Sequence, residues 1–176
     1  SNRVNYPKDY KIQIILKLIS SLTVILLVVF WSCSKSNDSE SVPKITYSGV
    51  TKTSLIQGAL NEDSLWLNFE LEDSDGDIGF GSNSVNRDII VLDLRTGLIM
   101  DEFKIPDLPS TDGQKITAKI SVLIFTTCCI FPNNIPPCSA PPEFPTDTIN
   151  FEIKVVDKKG HNSNLIVSEA IVLRCI

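Results

Sequence analysis

A chain of 176 residues, 43% apolar and 21% charged, has room for one folded domain plus a leader or tail, and is too apolar to be disordered throughout. Sixteen basic against 21 acidic residues give a net charge of -5, so the chain lacks the basic excess that a nucleic-acid partner requires to displace counterions from phosphate. The single histidine, His161, leaves little for triad or metal chemistry. No P-loop, dinucleotide fingerprint, G-x-S-x-G elbow or metalloprotease helix occurs, and no catalysis is expected.

Residues 1–17 carry Arg3, Lys8, Lys11 and Lys17 against Asp9, and Leu18 to Trp31 is an uncharged run of 14 residues. That run is short of the roughly 20 residues of a spanning helix. A basic segment followed by a short apolar core predicts a secretory leader. Phe30-Trp31-Ser32-Cys33 then gives way to the polar run Ser34 to Ser41. A small residue directly before a cysteine, at the end of an apolar core, resembles the lipobox of bacterial lipoproteins, with Phe30 and Trp31 standing where leucine and a small residue are usual. The resemblance implies a signal peptide over 1–32, a diacylglycerol thioether on Cys33 with its amine acylated (palmitate or a similar chain), and a place in the cell envelope at the outer membrane. Acyl chains contribute about 0.8 kcal/mol per buried CH₂, so several of them hold a protein firmly. The alternative is an uncleaved N-terminal helix with Cys33 an incidental thiol; both tether the domain outside the cytoplasm. Without the leader, 12 basic residues face 20 acidic ones, so lipid and not surface charge would provide the membrane contact.

Residues 33–43 read as a flexible tether, and 44–176 as the folded body. Ile45–Thr51 predicts a first strand. Leu65, Leu67, Phe69 and Leu71, alternating with Trp66, Asn68 and Glu70, predict the second. Asp88–Arg95 is the third, Leu98–Ile105 the fourth, and the alternation from Ile116 to Ile124 the fifth. Ile149–Val155 and Leu165–Leu173 are the sixth and seventh. Turn formers separate them, among them Asp75-Gly76-Asp77, Thr96-Gly97 and Lys159-Gly160. Seven amphipathic strands predict an all-β antiparallel sandwich. Phe151 to Asp157, then Lys158-Lys159-Gly160-His161-Asn162-Ser163, resembles the strand–D-x-x-G-N-x-S–strand hairpin of bacterial immunoglobulin-like and fibronectin-type-III-like domains, departing from it at His161. With the lipobox, the chain resembles small Gram-negative surface lipoproteins carrying one such sandwich, which implies fold and location but no reaction. In an up-down count, loops 73–87, 106–114 and 157–164 share one end, and the loops after the third and fifth strands share the other with the C-terminal residues.

Glu72-Asp73-Ser74-Asp75-Gly76-Asp77-Ile78-Gly79 is the densest carboxylate cluster. Aspartates at every second position can converge on one hard cation when glycines let the backbone wrap it. The spacing is not that of an EF-hand, because Ile78 and Ser84 stand where glycine and glutamate are required. It resembles the D-x-D-G-D-x-G loops of extracellular calcium-binding and adhesion modules. The expected ligands are Asp73, Asp75 and Asp77, with Asp157 as a further carboxylate and Asn162 as a possible carbonyl. The alternative is a solvated turn in which the side chains bond their own backbone.

Residues 126–147 hold six prolines and cannot form a central strand. Cys128, Cys129, Cys138 and Cys175 form an even set once Cys33 is set aside, which fits an oxidising compartment. Loop ends pair Cys175 with Cys128 or Cys129, and Cys138 with the other; a vicinal bridge is the strained third choice. A zinc site lacks its C-x₂-C hook. Trp66, on the outward face of the second strand, is a candidate platform for a glycan or an envelope protein. The expected function is a membrane-anchored binding or scaffold module. The alternative is a structural accessory subunit of an envelope complex. A carbohydrate-active or other enzyme ranks third, since the carboxylates Glu70, Glu72 and Asp73 come without an evident cleft.

Overall fold

The computed structural model describes residues 41–106, 108 and 113–176. The expected leader 1–32, Cys33 and most of the tether lie outside the described residues.

The described chain is all-β, with ten strands in three sheets. The first sheet joins β1 (Lys44–Val50), β3 (Ser64–Asp73) and β6 (Ile116–Phe125) in the order β1-β3-β6, all antiparallel. The second sheet has the order β2-β10-β7, from β2 (Ser54–Ile56), β10 (Ile171–Arg174) and β7 (Thr146–Ile149). The third runs β5-β4-β8-β9, from β5 (Leu98–Phe103), β4 (Ile89–Asp93), β8 (Phe151–Val155) and β9 (Ile166–Val167).

Alternation explains the long pair. β3 and β6 stay in register from Ser64↔Phe125 to Asp73↔Ile116. Leu65, Leu67, Phe69 and Leu71 are all buried, while Trp66 and Glu70 between them are exposed. The same period buries Ile89 and Val91 on β4, Phe151, Ile153 and Val155 on β8, and Ile171 and Leu173 on β10. Residues from all three sheets meet in one apolar core. Each fully buried aliphatic or aromatic side chain contributes roughly 1.5–3 kcal/mol.

The strand count differs from seven, for two reasons. β2 is only three residues long, too short to carry a period, and it pairs in parallel with β10. The expected sixth and seventh strands each change sheet partway along. Asn150 separates β7 in the second sheet from β8 in the third, and Ser168 to Ala170 separate β9 in the third from β10 in the second. The two corners are bonded to each other. The Asn150 amide donates to the Ser168 carbonyl at 3.0 Å, and the Phe151 N–H donates to Ser168 Oγ at 2.9 Å. Strands that switch sheets in this way make the corners of packed β layers.

The expected grouping of loops holds at both ends. At one end the Gly113 N–H donates to the Asp75 carbonyl (2.7 Å) and the Lys158 N–H to the Asp77 carbonyl (3.1 Å). At the other, Arg95, Cys128, Asp147 and Cys175 come together.

Candidate functional site

At the end of β3 the chain turns away through Asp73, Asp75 and Asp77. Gly76 and Gly79 take φ of 72° and 88°, a left-handed backbone that glycine adopts freely. At Gly79 a Cβ would also stand 3.0 Å from the Pro106 carbonyl oxygen. The wrap brings one carboxylate oxygen from each aspartate within 4.8 Å of the others. Two oxygens on opposite sides of a calcium ion are about 5 Å apart, so this group of three can chelate a divalent cation.

Burial makes the cluster unusual. Asp73 is 1% exposed and Asp77 8%; neither oxygen of the Asp73 carboxylate and not Oδ1 of Asp77 accepts a hydrogen bond, and Asp77 Oδ2 meets only the Lys159 ammonium. One oxygen of Asp75, Oδ1, is in the same condition. Burial, then the neighbouring charges of Asp75 and Asp77, pushes the Asp73 carboxyl up to about 6. Burial and the charges of Asp157 and Asp75 also raise Asp77, against the opposing pull of Lys159. For Asp75 burial acts upward, but the bond from Lys159 outweighs it and the carboxyl titrates below its ordinary value. The Lys159 ammonium lies 2.6 Å from Asp75 Oδ2 and 3.2 Å from Asp77 Oδ2.

Asp157 stands near enough for its charge to act on Asp73 and Asp77, yet it is not one of the converging three. Its carboxylate is engaged in its own turn. Oδ1 accepts the N–H groups of Lys159 (2.9 Å) and His161 (2.8 Å), and Oδ2 lies 2.7 Å from His161 Nδ1. Asn162 is drawn instead into a bridge with Val156. His161 is thereby a partner of the turn that carries Lys159.

Sequence reasoning missed two residues here. Lys159 is 84 positions from Asp75, and nothing in Asp-Lys-Lys-Gly distinguishes it from Lys158. Asp88 is fully buried and accepts the N–H groups of Phe80 and Ile105, both at 2.8 Å, which pins loop 78–88 to the segment after β5. Its place just before the apolar run Ile89-Ile90-Val91 was the available signal.

At the opposite end Cys128 bonds Cys138, and Cys129 bonds Cys175. This is one of the two arrangements expected from the loop ends. Arg95 binds the loop from a third side, donating to the Cys128 carbonyl at 3.2 Å and to Asp147 Oδ2 at 2.5 Å.

Trp66 is 47% exposed on the outer face of β3, opposite Leu123 of β6. It borders a largely apolar cleft of about 530 Å³ that follows β6 and is lined also by Ile78, Phe103, Ile105 and Ile120.

No protein-family model, curated protein or solved structure matches this chain.

Proposed function

We propose that this chain is a non-catalytic binding module held at the cell envelope by lipid on Cys33, with 1–32 as its signal peptide and 33–43 as its tether. In this reading residues 44–176 form an immunoglobulin-like sandwich from the three sheets, stiffened by calcium at Asp73, Asp75 and Asp77. The observation that carries the reading is the cysteine arrangement. Two disulfides engage Cys128, Cys129, Cys138 and Cys175, so every cysteine among the described residues is paired, and the fifth cysteine of the sequence, Cys33, is the one at which the lipobox resemblance puts the lipid. Paired cysteines belong to an oxidising compartment. Calcium is favoured by the all-oxygen donor set and by a cage whose span suits its longer bonds. Mass spectrometry of the mature N-terminus tests the anchor: a chain starting at an acylated Cys33 is expected, with Cys33→Ser released from the membrane fraction. An unacylated chain that retains residues 1–32 overturns the reading.

A second reading, a structural accessory subunit, has one observation in its favour. β6 is an edge strand of ten residues, and among the described residues its outer edge pairs with no strand. Such edges accept a further strand from a partner. Recovery of a stoichiometric envelope protein from crosslinked membranes favours this reading; recovery of a glycan or soluble ligand favours the binding module.

A further inference from the structure

Lys159 occupies a particular place in the acidic cage. Its ammonium touches only the rim, at Asp75 Oδ2 and Asp77 Oδ2, while Asp73 lies deeper with both carboxylate oxygens unpartnered and 1% exposed. One positive charge therefore faces three carboxylates, and the most buried of them has no direct counter-charge. The lysine is delivered by a turn that is itself fixed, through the Asp157 carboxylate and through the Lys158 N–H on the Asp77 carbonyl. Its side chain is 57% exposed, so Nζ can swing out into water without disturbing that turn.

We propose that Lys159 is the resident counter-ion of the metal-free cage and that a divalent, oxygen-seeking cation displaces it, so that the two compete for the same carboxylates. The proposal rests on the calcium reading of the cage. A doubly charged ion bonded to Asp75 and Asp77 takes over the oxygens that hold Nζ and repels the ammonium at close range. Lys159 then lowers the affinity of the cage for the ion, and occupancy of the cage frees Lys159 to solvent. The coupling is reciprocal, as linkage requires.

Two measurements on the full chain in non-ionic detergent test this, with calcium as the probe. Titration calorimetry should show Lys159→Ala binding calcium about tenfold more tightly than the wild type, the scale of a lost charge–charge contact of this kind. Amine acylation of the wild type, read by peptide mass spectrometry, should show Lys159 labelled severalfold faster with calcium than with chelator, while Lys119, exposed in both states, keeps its rate. Calcium binding with unchanged affinity in Lys159→Ala and unchanged labelling of Lys159 overturns the competition and leaves the cation site standing. Absence of calcium binding in both proteins overturns the cation site and the competition together.

Discussion

Arg95 and Asp147 lie 52 residues apart in sequence and face each other with Nη1 2.5 Å from Oδ2. The same guanidinium holds Asp93 Oδ2 at 2.6 Å, so the turn after β4 is fastened to the start of β7 across the proline-rich loop. Both side chains are mostly buried. Burial alone would raise the Asp147 carboxyl, but the N–H of Ile130 and the Arg95 guanidinium outweigh it and hold the group below its ordinary range.

Replacing one partner leaves the other charge stranded. Arg95→Met should cost about 2–4 kcal/mol, near the lower part of the range for broken buried pairs because some solvent reaches this one. Urea unfolding at pH 7 measures it. The native carboxyl of Asp147 titrates below its unfolded value, so its contribution is present above about pH 4 and fades as pH falls through the native value. Asp147→Asn should accordingly lose more stability at pH 7 than at pH 3.

Asp73 has the opposite sign. Its native carboxyl titrates at about 6, above the unfolded value, so the folded state binds more protons between about pH 4 and pH 6 and its stability falls as pH rises through that window. In chelator, Asp73→Asn should remove this decline and melt higher than the wild type at pH 7.5. In millimolar calcium the order should reverse, because only the wild type gains from the ion. A variant that melts lower than the wild type in chelator at pH 7.5 would falsify the account of Asp73 as an uncompensated buried charge.

The two disulfides close loops of different length, with sequence separations of 46 and 10. Chain entropy predicts that losing Cys129–Cys175 costs about 4 kcal/mol and losing Cys128–Cys138 about 3 kcal/mol. Paired serine variants, unfolded in urea without reductant, should show the larger loss for the longer loop.

Asp157 and His161 should separate cleanly. Asp157→Ala leaves two turn N–H groups without their acceptor at a fully buried position and should cost about 1–3 kcal/mol. His161→Ala keeps both N–H bonds to Asp157 Oδ1 and removes only the ring partner of Oδ2, so its melting temperature should fall less than that of Asp157→Ala.

The alternation of β3 and β6 was legible residue by residue, since one face of β3 is buried from Leu65 to Asp73 and the matching face of β6 is buried at Ile116, Val122 and Ile124 and half-buried at Ala118 and Ile120. The sheet change at Asn150 was not, because the apolar period Ile149, Phe151, Ile153 continues through the corner while the hydrogen-bonding partner changes; at the second corner Ser168-Glu169-Ala170 breaks the period, a signal that reading Leu165–Leu173 as one strand passed over. Asp73, Asp75 and Asp77 were visible as an every-second-residue pattern. What that pattern could not reveal was that Asp73 lies in the interior, that Asp157 is engaged elsewhere, or that Lys159 closes the rim. Each depends on how the 157–161 turn sits against the 73–79 loop, a distance of 84 residues in sequence. Arg95 looked like the polar end of a strand, and its role follows only from the proximity of Asp147.

β10 lies between β2 and β7, and Cys175 follows it directly. A polypeptide interrupted before Ile171 deprives both flanking strands of their shared neighbour and leaves Cys129 without its bridge. Synthesis must therefore deliver these late residues before the second sheet can assemble, and truncation products should be strong substrates for quality-control proteases.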